Sequence, residues 1–282
     1  MINNHRQARI NHAGLQDAYI VYEAIVEGGL TRMMAIYKDK ESARIGSVRS
    51  ARHYFLDYAL ENDAIYVHFG WSPQAQSDIG TLHIDNINGL YDNIFFRDTT
   101  LGVAYEHTAF TSMKNIREFV RNKGYRTTSN QKLLLNYNVD EVDISKKEDA
   151  IVANNIDIVY SSYMTTSYIY DAQSKVYLRF VNGENHMTVD ENKIPTQITA
   201  KNIIITDINN YSIDNKDRQN LENIGTGNGY YITNGYAVPI TWTKSSRNSQ
   251  TIYTYIDGTE IDVNDGNTYI QLHPSSQIVN IS

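Results

Sequence analysis

The chain has 282 residues, 41% hydrophobic and 20% charged, with a formal net charge of −7. That is enough for one large or two ordinary domains with a packed core, and its acidity excludes both a general nucleic-acid binder and a polybasic lipid-docking protein. Cysteine is absent, which excludes disulfides, thiolate metal sites and cysteine nucleophiles. No apolar run approaches the roughly 18–20 residues of a membrane span, and no signal peptide is present. Tyrosine is over-used, at 22 against 7 phenylalanines. Its apolar ring and water-tolerant hydroxyl suit half-exposed sheets, though codon bias accounts for it equally well.

The first half alternates strand and helix patterns. Tyr19–Val26 is an apolar run rich in β-branched and aromatic residues, closed by the breaker Glu27-Gly28-Gly29, and Met33–Tyr37 reads as a second strand. Arg44–Ser47 is short and extended. The spacing of Ala51, Tyr54, Phe55, Tyr58 and Ala59 predicts a helix over Ser50–Leu60, with Ser47 or Ser50 as its N-cap. Ala64–Phe69 reads as a buried strand, and Ser72-Pro73 opens a short helix with proline at its favoured first position. A later helix is expected from Ser112 to Asn122, with Ile116, Phe119 and Val120 on one face and Gly124 as its stop.

The second half changes character. Asn-Gly and Asp-Gly pairs, strong hairpin signals, fall at 182, 228, 234, 257 and 265, against 88 alone in the first half. Between them run short alternating segments: Ser167–Tyr170, Val176–Val181, Asn202–Thr206, Tyr230–Thr233, Ala237–Thr243, Thr251–Tyr255 and Thr268–Leu272. Thr233-Asn234-Gly235-Tyr236 reads as a two-residue hairpin. The glycine-rich Gly225–Gly229 lacks the Lys-Ser/Thr of a phosphate loop and reads as a loop between strands. The expected class is α+β: an N-terminal α/β domain with a mixed sheet (1–148) and a C-terminal all-β domain, sandwich or barrel-like (149–282), parted within the polar stretch DEVDISKKEDA.

Four segments of the first half stand in order: Ile2-Asn3-Asn4-His5, Glu27-Gly28-Gly29-Leu30-Thr31-Arg32, Ile45-Gly46-Ser47-Val48-Arg49-Ser50-Ala51-Arg52, and Tyr66-Val67-His68-Phe69-Gly70 with Ser72-Pro73-Gln74-Ala75. In the second half come Ala200–Ile204, Gly225–Gly229, Ile240-Thr241-Trp242-Thr243-Lys244 and Gly266–Ile270. In this ordered combination the chain resembles the YerB-like family of bacterial lipoproteins over nearly its whole length. It departs at Gly46-Ser47-Val48, where the resemblance leads one to expect Gly-Pro-Val, so the loop into the helix is expected to be looser. The resemblance implies an extracytoplasmic protein of a Gram-positive-type bacterium, tethered by a lipidated cysteine upstream of residue 1, the membrane being reached only through that anchor. The opening residues, which read as the end of a strand, agree with a leader lying upstream. The resemblance implies no catalytic residues.

The residues themselves single out Arg32, Arg49 and Arg52, with Glu27 and His68 close in motif order and Ser47 and Ser50 at the expected helix entrance. Guanidinium forks beside free helix-entrance N–H groups suit phosphate or carboxylate, making this a candidate anion site. The competing reading is a structural network in which Glu27 or Asp57 pairs with the arginines. His68 alternates with Tyr66 along a strand and reads as a satisfied core-edge histidine, and Trp242 as a core or sheet-face residue. The eight histidines show no ligand spacing, so no metal and no cofactor is expected. Three functions are open to such a chain: a module binding an anionic or glycan ligand, such as a phosphate-bearing cell-wall molecule, or an envelope partner protein; a phosphate-handling transferase or hydrolase on wall precursors, loosely similar to the LytR–CpsA–Psr transferases, for which Asp57, Asp63 and Asp92 are available as metal carboxylates; or a purely structural assembly protein.

Overall fold

A computed structural model describes residues 1–190, 192 and 194–282. Its main strands are β1 (Ile2–Asn3), β2 (Ile20–Ile25), β3 (Thr31–Ile36), β4 (Asn155–Ser161), β5 (Met164–Asp171), β6 (Val176–Val181), β7 (Asn202–Ile208), β8 (Gly225–Thr233), β9 (Tyr236–Lys244), β10 (Ile252–Tyr255), β11 (Thr268–Pro274) and β12 (Val279–Ile281). Its principal helices are α1 (His53–Glu61), α2 (Pro73–Thr81) and α3 (Met113–Lys123). Among the described residues every helix precedes residue 149, and the C-terminal half is built of strands and turns. The fold is α+β with a mixed sheet, as the sequence predicts.

The central sheet runs β1-β3-β2-β11-β7-β8-β9, with β10 and the pair Ile151–Val152 both against β9. β11 lies parallel to β2 on one side and to β7 on the other, and the remaining pairings are antiparallel. A strand from the end of the chain thus sits between one from its beginning and one from its second half. Every residue of β11 is buried, as expected of a parallel strand covered on both faces.

Side chains alternate across β2, so its two faces meet different layers. Tyr22 points to the helices, where its hydroxyl donates to Glu61 of α1 at 2.7 Å. Glu23 points to the second sheet, β6-β5-β4-β12, where it meets Arg179 of β6 at 2.8 Å. Helices therefore cover one face of the central sheet and the second sheet covers the other.

Local signals succeed where turn chemistry is explicit. Asn234 and Gly235 both take positive φ, and Thr233 pairs Tyr236 across a two-residue turn; Asn182-Gly183 does the same after β6. Ser72 caps α2 through Ala75 N–H, and Ser112 caps α3, which ends at left-handed Gly124. Two expectations are corrected. Gly225–Gly229 is not a loop but the first half of β8. Its glycines serve close approach: a Cβ on Gly229 would fall 1.9 Å from the Ile205 carbonyl oxygen, and one on Gly227 would strike the Trp242 ring. The first helix begins at His53, not Ser50; Arg52 occupies its N-cap position, and neither Ser47 nor Ser50 caps it.

Between the central and second sheets lies a fully buried polar core. Glu23 accepts from Asn4, Thr31, Thr166 and Arg179. Arg179 also donates to the Tyr168 hydroxyl and, through Nε, to His186 Nδ1 at 2.8 Å. His12 Nε2 lies 2.6 Å from the Asn3 carbonyl oxygen and must therefore donate to it. In a neutral ring its Nδ1 is then an acceptor, so His186 Nε2 donates to it at 2.9 Å, leaving His186 Nδ1 free to accept from Arg179. The geometry fixes one direction for three successive N–H donors, and only neutral histidines fit it. Burial above all holds His12 down to about 4 and His186 well below its usual value.

Because the native state keeps these rings neutral while the unfolded chain protonates them near 6.5, stability is full above that pH and is lost as pH falls toward 4. His12 alone should contribute about 3 kcal/mol to that loss by pH 4. His12→Gln, whose amide can accept and donate at similar places, should flatten the slope of urea-unfolding free energy between pH 7 and 4.5. An unchanged slope would show that His12 is not neutral in the fold.

Candidate functional site

The turn between β2 and β3 holds Glu27, with Gly28 and Gly29 both at positive φ. Its peptide groups are tied to the C-terminal half: Gly28 N–H donates to Asp217, and the Ser161 hydroxyl donates to the Gly29 carbonyl. The Glu27 carboxylate fills the fork of Arg52, accepting from Nε at 2.5 Å and Nη2 at 2.8 Å. Arg52 Nη1 donates to the Ala51 carbonyl. Arg32 lies 3.9 Å from the same carboxylate and donates to the Ser50 carbonyl at 2.7 Å. Burial, then the neighbouring Arg52, pulls Arg32 down to about 9, still charged at neutral pH. Burial pushes Glu27 up, but the Arg52 fork and Arg32 outweigh it and hold the carboxyl below its ordinary range.

The structure thus brings together Glu27, Arg32, Arg52 and the backbone of Ser50. Arg49 turns instead to exposed Glu106 at 3.1 Å. Because α1 starts at His53, Arg49 and Arg52 stand on extended chain and not on one side of a helical turn. The N–H groups of Gly46, Val48 and Arg49 already donate to the carbonyls of Ala13, Ala109 and Met1. Ser47 is buried, its hydroxyl unpartnered among the described residues. His68 is also buried, with Nδ1 2.8 Å from the Gly70 carbonyl oxygen and Nε2 3.1 Å from Asn86; burial takes it down to about 4.

The three carboxylates open to a metal are held separately. Asp57 accepts from Arg247 and Asn223, Asp63 pairs with Arg126, and Asp92 accepts from the Asn88 N–H. No group of three or more potential metal ligands occurs among the described residues. Asp57 belongs with Glu61 to an acidic edge of α1 that grips the C-terminal half. Glu61 accepts from Lys244 at 2.8 Å and from both the amide and hydroxyl of Thr251.

A cleft of about 1010 Å³ lies between α3 and the β3 side of the sheet. Met34, Ile36, Ile45 and Val48 lie on one side, and Met113, Ile116 and Val120 of α3 on the other, with Leu133 and Leu134 closing it. Phe119, grouped with this face by periodicity, packs instead edge-on against Tyr125. The rim carries Lys38, Lys114, Arg117, Arg121, Arg126 and Lys132, against Asp39, Glu41 and Asp63. Arg117 pairs with Glu41 and Arg126 with Asp63. The apolar stripe of α3 is readable in the sequence. The cleft beneath it is not, since its far wall comes from residues some 80 positions earlier.

Two family models match the chain: "Protein of unknown function (DUF3048) N-terminal domain" over residues 1–126, and the corresponding C-terminal domain over residues 155–270. The "Putative lipoprotein YerB" of Bacillus subtilis is 28% identical over 286 residues, covering all of this chain and 82% of that protein. The crystal structure of Bacillus subtilis YerB superposes with a TM-score of 0.84 at 28% identity, over the whole of this chain and 91% of that one.

The geometry of the arginines orders their energetic roles. Arg52→Ala strands a half-buried carboxylate and should cost about 2 kcal/mol in urea unfolding, between the values for exposed and fully buried pairs. Arg49→Ala loses an exposed pair and should cost about 0.5 kcal/mol or less. Equal costs would contradict this assignment.

Proposed function

The chain belongs to the family defined by these two domains, and we propose that it is an extracytoplasmic, lipid-anchored binding module whose ligand site is the cleft beneath α3. The location rests on the name "Putative lipoprotein YerB" of the Bacillus subtilis relative, of which this chain covers 82%. No helix among the described residues is long and apolar enough to cross a membrane.

The single observation that carries the site is the cleft. Its size is at the upper end of small-molecule pockets, roughly 300–1000 Å³, and apolar side chains of β3 and α3 line it together with polar ones, of which the basic groups are exposed. The Arg32–Arg52–Glu27 group supports the fold in this reading. Its forks are filled by a carboxylate and backbone carbonyls, which leaves the anion-binding capacity expected of arginine to the rim of the cleft.

Anilinonaphthalene sulfonate, an anion with an apolar ring system, tests the site. It should bind one equivalent saturably to the folded protein. Ile116→Trp, which places bulk in the cleft from a half-buried helix position, should weaken binding at least about tenfold with little change in melting temperature. Binding unaffected by Ile116→Trp would remove the cleft from the function.

A further inference from the structure

The cationic groups at the cleft mouth are unevenly used. Arg117 and Arg126 are spent on Glu41 and Asp63. Lys38, Lys114, Arg121 and Lys132 are exposed and have no carboxylate partner among the described residues, while Asp39 is the one rim acid left without a basic partner there. A chain of net charge −7 therefore concentrates unpaired positive charge around this cleft.

Helix α3 shows how charge and apolar surface are joined. Met113, Ile116 and Val120 stand three or four residues apart on one stripe, and Lys114, Arg117 and Arg121 form the adjoining stripe one residue on. Both stripes line the cleft, the apolar one inside and the cationic one at its mouth. A compact anion such as free phosphate would use the rim and leave the apolar walls facing water. An uncharged amphiphile would do the reverse.

Resting on the reading of this cleft as the ligand site, we propose that its ligand is a phosphate-bearing amphiphile: an aliphatic chain lies along Met34, Ile36, Ile116 and Val120, and a phosphate monoester sits at the mouth between Lys114 and Arg121 and the lysines opposite. A dianionic head matches several unpaired cations better than a monoanionic carboxylate does. The ligand is a single molecule inserted in the cleft, not a membrane surface.

The test uses displacement of bound anilinonaphthalene sulfonate by monomeric dodecyl phosphate, glycerol phosphate and dodecyl maltoside. Dodecyl phosphate should act at a concentration at least about tenfold lower than either comparator, and the double variant Lys114→Ala/Arg121→Ala, at exposed positions, should lose that advantage while remaining folded. If glycerol phosphate matches dodecyl phosphate, the cleft takes plain anions and the amphiphile is wrong. If dodecyl maltoside matches it, the head-group assignment is wrong. Either result leaves the cleft as the ligand site, whereas dye binding indifferent to Ile116→Trp removes the site itself. Co-sedimentation of wild type and Ile116→Trp alike with phosphatidylglycerol vesicles would make the cations a membrane-docking face and overturn the single-ligand proposal.

Discussion

The ion pair of Glu23 and Arg179 is the constraint around which the molecule is assembled. Both side chains are wholly buried, and isolating either would cost several kcal/mol of lost hydration. That cost is tolerable because nearly every lone pair and N–H is used: Glu23 is met by Asn4, Thr31 and Thr166, and Arg179 by Tyr168 and His186. Glu23, Thr31 and Asn4 come from the first 31 residues, and Thr166, Tyr168, Arg179 and His186 from the second half. The network is satisfied only when the two halves are docked in one register, and a half-satisfied version is worse than none. It gives specificity to the docking more than net stability.

The remaining cross-connections obey the same logic. β11 inserts between β2 and β7, so the sheet cannot be completed by either half alone. Glu61 and Asp57 of α1 take Lys244 and Arg247 from the far end of the chain. Two regions that sequence models treat as separate domains thus share one sheet and two buried charge networks. This arrangement also locates the cleft. The second sheet covers one face of the central sheet, α1 covers the middle of the other, and the cleft lies where residues of β3 face those of α3.

What the sequence disclosed and what it hid divide by the range of the interactions. The Asn182-Gly183 and Asn234-Gly235 turns, the Ser72 and Ser112 caps and the Gly124 stop act within four residues, and each produced a correctly placed boundary, whereas the Asn228-Gly229 pair lies inside β8 and marks no turn. β4 went unread although Asn154-Asn155 and Ser161-Ser162 bracket its alternation, and the glycines of β8 imitated a loop because the backbone contact they permit is with Ile205, 24 residues away. Of the residues grouped by motif order, Arg32, Arg52 and Glu27 meet while Arg49 and His68 find other partners, and only the fold decides that it is Glu27 that fills the guanidinium fork. Arg179 carried no signal at all: a lone arginine in an alternating strand looks solvent-facing until its partner arrives from 156 residues earlier. The cationic stripe of α3 was not singled out from the sequence, because its meaning depends on an unfilled space that no local pattern encodes.

Native-state hydrogen exchange tests the central claim most directly, by comparing amide protection in β2, from the first half, with that in β7, from the second. If the shared sheet and the Glu23–Arg179 network make one cooperative body, the two strands should open with the same free energy, and Arg179→Met should lower both together by about 3–5 kcal/mol. Exchange in β2 at a distinctly lower free energy than β7, with Arg179→Met lowering only one of them, would contradict the account and make the halves independent folding units.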